Sequence, residues 1–247
     1  MILTCLRRGL LAGLVAGLLA GLFGFVVAEP ILDRAVALES HEHEGEHAGG
    51  QEVFSRGEQK AGLFFATALY GTGMGVIFGI VSAYFRGRVS PRSAWLRSLA
   101  LAGAIFTGAV LLPFLKYPPN PPGVGADPET LTARTVAYLA MVALSLLTLF
   151  FAWRLARELK AFAAPVRHLL IGAFLLVCWG LLLALMPGFE GTGDAPAELV
   201  WSFRLSSLGT QAVLWVGIGC AFGLIGEWAQ ARVKRTASTV VAEGEPR

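Results

Sequence analysis

The chain has 247 residues, of which 55% are hydrophobic and 15% are charged, and its mean hydropathy is +0.63. Soluble domains carry roughly 25% charged residues, so this composition excludes a soluble globular protein. The net charge of +3 is small and indicates no nucleic-acid partner.

The apolar residues form six blocks of about 20 residues, each long enough to cross the ~30 Å hydrocarbon core as a helix. The blocks lie near residues 9–28, 61–84, 97–115, 132–153, 168–186 and 208–227. The alternating pattern of membrane β-strands is absent, and helices satisfy every backbone group within lipid. The sequence therefore predicts an all-α, polytopic membrane helix bundle with six transmembrane helices.

Residues 1–28 are predicted to be the first transmembrane helix. A ladder of glycines follows one face at four-residue spacing and would let a second helix approach closely: Gly9, Gly13, Gly17 and Gly21. The alternative is that residues 1–28 are a signal peptide, with Arg7 and Arg8 as its positively charged n-region and a cleavage site at Ala28. Signal h-regions have only 7–15 apolar residues, which favours a retained helix. Cleavage would leave five spans.

Charge indicates the orientation of the chain. With the N-terminus in the cytoplasm, 14 of the 20 Lys and Arg residues lie on the cytoplasmic side, while 13 of the 17 acidic residues lie outside. This distribution obeys the positive-inside rule. We therefore expect a multi-pass protein of a bacterial inner membrane, with both termini in the cytoplasm and the lipid bilayer as its surroundings.

Residues 29–60 are predicted to be an acidic, histidine-containing outer loop. Pro30 suits the first turn of a short surface helix, in which Glu29 and Asp33 share a face. The segment HEHEGEH follows, with three of the chain's four histidines. Imidazole and carboxylate together suit Co²⁺, Ni²⁺ and Zn²⁺, so the candidate metal ligands are His41, Glu42, His43, Glu44, Glu46 and His47. A solvated acidic loop with incidental histidines is the alternative.

The second and sixth spans share the pattern G-x-G-x-x-F-G, at residues 73–79 and 217–223. Such small residues are typical of closely packed membrane helices. The candidate packing residues here are Gly73, Gly75, Gly79, Gly217, Gly219 and Gly223. The shared pattern also raises the hypothesis that spans 1–2 and 5–6 are related hairpins.

A proline-rich segment follows the third span, with five prolines between residues 113 and 122. Prolines at this density favour a stiff, extended path. Such a loop would shape the mouth of a pathway, for which the candidates are Glu29, Asp33, Glu39, Lys116, Tyr117, Asn120, Asp127 and Glu129. Pro128 is predicted to begin the fourth helix, after Asp127 as N-cap.

Residues 61–228 would hold the second to sixth spans, and residues 229–247 a polar cytoplasmic tail. The sequence contains no P-loop, G-x-S-x-G, H-E-x-x-H or C-x-x-C motif. It indicates neither an enzyme nor a permanently bound cofactor.

Taken together, these segments resemble the CbtA family of cobalt transporter subunits. The resemblance rests on Glu29-Pro30, on Leu69-Tyr70-Gly71, and above all on Phe114-Leu115-Lys116-Tyr117-Pro118-Pro119-Asn120-Pro121-Pro122. It implies a bacterial membrane protein of cobalt uptake and cobalamin supply, which works beside CbtB, a small single-span partner that bears histidines. The family is generally described with five spans.

The leading hypothesis is a permease component for divalent cobalt, or nickel, in which the histidine loop captures ions outside. The cobalt or nickel ion would then be the transported ligand. Two alternatives remain: a non-transporting membrane scaffold, and a transporter of a small organic or cobalamin-related solute. A homo-oligomer is a further expectation.

Overall fold

The computed structural model describes residues 2–42, 56–88, 93–122, 124, 128–189, 191–193 and 195–243. Its helices are α1 (Ile2–Phe23), α2 (Glu29–Glu42), α3 (Arg56–Phe85), α4 (Ala94–Phe106), α5 (Leu112–Lys116), α6 (Pro128–Glu158), α7 (Ala164–Leu185) and α8 (Ala197–Glu243). Two π-helical segments, Gly24–Ala28 and Thr107–Leu111, join α1 to α2 and α4 to α5, and the 3₁₀ turn Leu159–Ala161 follows α6.

Six helical runs in the described part of the chain are long and apolar enough to cross a membrane. They are Ile2–Val36, Lys60–Phe85, Ala94–Lys116, Glu129–Ala161, Ala164–Leu185 and Ala197–Arg232. No strand occurs among the described residues. The all-α, six-span prediction is confirmed, and α6 begins at Pro128, as the sequence predicts.

The first helical run continues past Ala28, where we expected the first span to end. Proline lacks an N–H, and its ring collides with the carbonyl of residue i−4 in a regular helix. Pro30 is the second residue after one π segment, and Pro113 is the second after the other. The wider π turn makes room for the proline, so the helical run continues through it.

The chain divides into two compact units. The first consists of Met1–Phe25, Phe54–Gly103 and Ala212–Arg247, and the second of Val26–Val53 and Ala104–Gln211. Three helical runs, 2–42, 94–116 and 197–243, contribute residues to both units.

In the first unit, α1 packs against α3 through facing glycines. A Cβ at Gly13 would lie 2.8 Å from the Cα of Gly75, and a Cβ at Gly71 would lie 2.5 Å from the Cα of Gly17. Both distances are too short for any side chain, so the two backbones touch. Gly9, Gly17, Gly75 and Gly79 meet the opposite helix in the same way, whereas a Cβ at Gly21 would lie 3.1 Å from the Phe64 ring. A Cβ added at Gly73, in contrast, would have no described atom within 4 Å.

The α8 glycines contact α1 and α4. A Cβ at Gly217 or Gly219 would lie 2.9 Å from the Cβ of Ala16 or Ala102, respectively. Next to Gly223, the Ser98 hydroxyl donates a hydrogen bond to the Gly219 carbonyl at 2.8 Å. Phe78 and Phe222, the aromatic residues of the G-x-G-x-x-F-G motif in α3 and α8, pack edge to face with 5.1 Å between their ring centroids.

In the second unit, α6 packs against α7 and against the π segment Thr107–Leu111. The buried Ser145 hydroxyl of α6 donates to the Gly108 carbonyl within that segment. No residue of α7 is buried among the described residues, although α7 is 22 residues long. This helix therefore exposes far more apolar surface than α1 does.

Candidate functional site

Most of the predicted metal ligands lie outside the described part of the chain. His41 and Glu42 belong to the last turn of α2, but their side chains are outside the described part of the chain. His43, Glu44, Glu46 and His47 lie wholly outside it. Among the described residues, no group of three or more His, Cys, Asp and Glu residues is placed to hold a metal ion. The histidine segment therefore stays a sequence-based prediction.

The acidic residues predicted for the pathway mouth fall on two helices. Glu29 and Asp33 lie one turn apart on α2; Glu29 is buried, at 5% exposure, whereas Asp33 is exposed. Glu39 lies farther along the same helix, with its side chain outside the described part. Glu129 is exposed in the first turn of α6, where a carboxylate stabilises the helix dipole. Asp127 lies outside the described residues.

Lys116 binds the C-terminal end of α7. Its Nζ donates a hydrogen bond to the Leu183 carbonyl at 2.9 Å. In a continuing helix that carbonyl would accept from the N–H of residue 187, which is a proline and has none. The ammonium thus replaces a missing backbone donor and places a positive charge at the negative end of the α7 dipole.

Tyr117 binds the chain just beyond α7. Its hydroxyl donates to the Pro187 carbonyl at 2.8 Å, and its ring lies 6.0 Å from that of Phe189. Partial burial raises the pKa of the Tyr117 phenol above its usual value, because the phenolate is poorly solvated there. The Phe189 ring also contacts α6, where the guanidinium of Arg134 lies 5.7 Å from its centroid.

Asn120 joins the same segment to α8. Its Nδ2 donates to the Gly191 carbonyl at 3.4 Å, and its Oδ1 accepts from Nη2 of Arg204 at 2.8 Å. The Arg204 guanidinium also lies 5.6 Å from the Trp201 ring. We did not predict a role for Arg204, Arg134 or Phe189, because nothing in their local sequence indicates such distant partners.

We call Lys116, Tyr117 and Asn120, together with the carbonyls of Leu183, Pro187 and Gly191, the KYPPN cluster. The three accepting residues are four apart, so the proline-rich segment follows the chain that leaves α7. The ammonium, hydroxyl and amide N–H donors of the cluster are engaged with its carbonyl oxygens, and N–H donors do not coordinate a cation. Its geometry holds two segments together, and a role at a pathway mouth stays a prediction.

A family model described as “Probable cobalt transporter subunit (CbtA)” matches residues 2–227, nearly the whole chain. The chain belongs to the CbtA family. No curated protein and no solved structure matches it. CbtA membership and the six apolar helices make it a multi-pass membrane protein of a cobalt transporter.

The matched region contains both predicted sites. It covers the KYPPN cluster, the buried Glu29 and the HEHEGEH segment. The CbtA description calls the protein a subunit, which implies a partner protein. The resemblance inferred from the proline-rich segment is confirmed.

Proposed function

We propose that this CbtA protein is the membrane permease component for uptake of divalent cobalt, with nickel as the second candidate ion. The observation that carries the proposal is the placement of acidic and histidine residues on one helix. Glu29, Asp33, Glu39, His41 and Glu42 all belong to α2, which begins at the buried Glu29. At 1.5 Å per residue, about 18 Å of helix separates His41 from Glu29.

The helix supports a path from capture to entry. Imidazoles and carboxylates of the HEHEGEH segment would collect the ion, and Asp33 and Glu29 would receive it at successive turns of α2. A carboxylate buried in an apolar helical run is costly, and such residues mark ion pathways in membrane proteins. The membrane potential supplies about 2.3 kcal/mol per charge per 100 mV, so a divalent cation can enter without ATP.

The KYPPN cluster would hold the chain segments around this path in place. Lys116, Tyr117 and Asn120 fix the chain beyond α7, and their donors are already engaged with carbonyls. We propose that the ion passes the oxygen ligands of α2 and not the cationic side chains of the KYPPN cluster. This assignment leaves Lys116 with a structural task.

The surroundings follow from charge and family. We propose an inner-membrane location with both termini in the cytoplasm and the HEHEGEH segment outside, from the distribution of Lys and Arg. The partner would be a small single-span protein of the CbtB type, which supplies further histidines. Uptake would serve cobalamin supply.

The test is the cobalt and nickel content of washed cells that express the chain with its small partner, measured by mass spectrometry. We expect a rise in cobalt over empty-vector cells. Glu29→Gln should abolish the rise at every external concentration, because the buried carboxylate would lose its charge. The triple change His41→Ala, His43→Ala and His47→Ala should reduce uptake only at low external cobalt, since capture is then limiting.

His168→Ala is the matched control, because it removes the one histidine outside the HEHEGEH segment. His168 is an exposed residue of α7. It should leave uptake unchanged. The same metal content in cells with and without a well-expressed chain and partner would reject the permease. The scaffold and organic-solute hypotheses would then gain weight.

A further inference from the structure

An apolar groove runs between α6 and α7. It encloses about 880 Å³ and is open along one side. Its walls include Leu147 and Phe151 of α6 and Phe174 and Leu181 of α7, all within the spanning runs Glu129–Ala161 and Ala164–Leu185. A groove at this place in a membrane protein meets lipid acyl chains and not water.

One end of the groove is charged. Arg154 and Glu158 line it there, with 3.9 Å between Nη2 and Oε1 and both side chains more than half exposed. An exposed pair at this distance contributes little stability, so a stronger anion can displace the carboxylate from the arginine.

The turn from α6 to α7 adds further positive charge. Residues 154–167 contain Arg154, Arg157, Lys160 and Arg167, against the single acid Glu158. The Arg157 guanidinium lies 5.1 Å from the Trp153 ring, an arrangement typical of the membrane interface. This end of the groove is therefore complementary to an anionic headgroup.

The length of the groove matches a lipid. Leu144, at the far end on α6, is ten residues from Arg154, which is about 15 Å along the helix. One leaflet of a ~30 Å hydrocarbon core has about that depth. An acyl chain whose headgroup lies at Arg154 would reach Leu144 near the middle of the bilayer.

We propose that the groove between α6 and α7 binds an anionic phospholipid, with its phosphate at Arg154 and an acyl chain along Leu147, Phe151 and Leu181. Basic pockets between membrane helices recognise anionic headgroups by this chemistry. The lipid would cover α7, the span that has no buried residue among those described. The proposal is independent of the transported ion.

The test titrates the purified full chain with palmitoyl-oleoyl phosphatidylglycerol or the matching phosphatidylcholine and counts bound lipids by native mass spectrometry. We expect phosphatidylglycerol to bind about fivefold more tightly, the effect of roughly one basic side chain near the headgroup. Arg154→Gln should remove this preference. Arg88→Gln should not, although Arg88 is also exposed and stacks on an aromatic ring, that of Tyr84.

A second pair of variants tests the groove without changing charge. Leu181→Trp fills it, whereas Leu176→Trp places the same bulk on α7 at a residue that does not line it and is 74% exposed. We expect only Leu181→Trp to lose tight phosphatidylglycerol binding, with both variants eluting as the wild type does.

Three results would overturn the proposal. The first is equal binding of the two lipids, which would indicate an unspecific lipid annulus. The second is equal binding by the two tryptophan variants. The third is loss of the small partner from Leu181→Trp with unchanged lipid binding, which would place a partner helix in the groove.

Discussion

The α1–α3 pair and the α6–α7 pair each join two successive spanning runs of the chain, but they pack in opposite ways. Glycines bring the backbones of α1 and α3 into direct contact, and Ala12, Ala16 and Ala20 of α1 are fully buried. Leucines and phenylalanines hold α6 and α7 apart and leave a groove. No residue of α7 is buried in the described chain.

The difference shows how a helix pair in lipid is assembled. Burial of apolar surface gives little driving force there, because lipid tails are as apolar as leucine. Close packing between small residues stabilises α1–α3, whereas hydrogen bonds from the proline-rich segment hold the end of α7. We therefore expect substitutions that add bulk to damage the α1–α3 pair, and substitutions that remove donors to loosen the end of α7.

The largest effect should come from Gly13→Leu. The new side chain would begin 2.8 Å from the Cα of Gly75, so α1 and α3 must separate. We expect a loss of about 3 kcal/mol, the upper part of the range for overpacking, measured by thermal unfolding in detergent. The matched control is Gly73→Leu on α3, where an added Cβ would have no described atom within 4 Å. Equal loss in both variants would contradict the assignment of Gly13 to the interface.

A smaller effect is expected from Lys116→Met, which keeps the length of the side chain and removes the donor to Leu183. The Leu183 carbonyl would then have no hydrogen-bond donor, because residue 187 is a proline, at a cost of about 1–2 kcal/mol. Faster hydrogen exchange over residues 186–189 should accompany the lower unfolding temperature. Lys160→Met, at an exposed lysine, is the control. Unchanged exchange in Lys116→Met would show that the hydrogen bond is dispensable.

The smallest effect should come from pH. Burial raises the folded-state pKa of Tyr117, so the folded chain keeps the phenol proton after the unfolded chain has begun to release it near pH 10. Stability from this group is complete below about pH 10 and falls as pH rises above it. Tyr117→Phe should therefore lose less stability than the wild type between about pH 8 and about pH 10.5.

Tyr84→Phe, at an exposed tyrosine, provides the comparison for that measurement. Its unfolding temperature should follow the wild type across the same range. Parallel curves for Tyr117→Phe and the wild type would mean that the phenol of Tyr117 does not contribute to the pH dependence.

The sequence was sufficient for the six spans and for the start of α6. Long apolar blocks and the Asp127-Pro128-Glu129 pattern are local signals, and each acts within a few residues of where it is found. The facing glycines were also visible as a ladder on α1. On α3 the motif grouped Gly73 with Gly75, although four-residue spacing places Gly71, Gly75 and Gly79 on one face and Gly73 on another.

The role of Lys116 could not be predicted from the sequence, for a different reason. Its partner is a carbonyl 67 residues away, and backbone acceptors carry no residue-type signal. The persistence of the first helix through Pro30 was missed because a proline usually ends a helix. The signal that it does not is the apolar run on both sides, and the same arrangement recurs at Pro113.

The two π segments make the register of this protein sensitive to chain length. A π turn accommodates one residue more than an α turn does, so each segment is equivalent to a single-residue insertion in an otherwise regular helix. Deleting one residue between Gly24 and Ala28 would restore the α geometry without turning the helix beyond it, whereas deleting one residue from the regular part of α1 would rotate everything beyond it by about 100°. Glu29 would then leave its buried position with its chemistry unchanged. The direction in which that carboxylate points is therefore set by the number of residues before it.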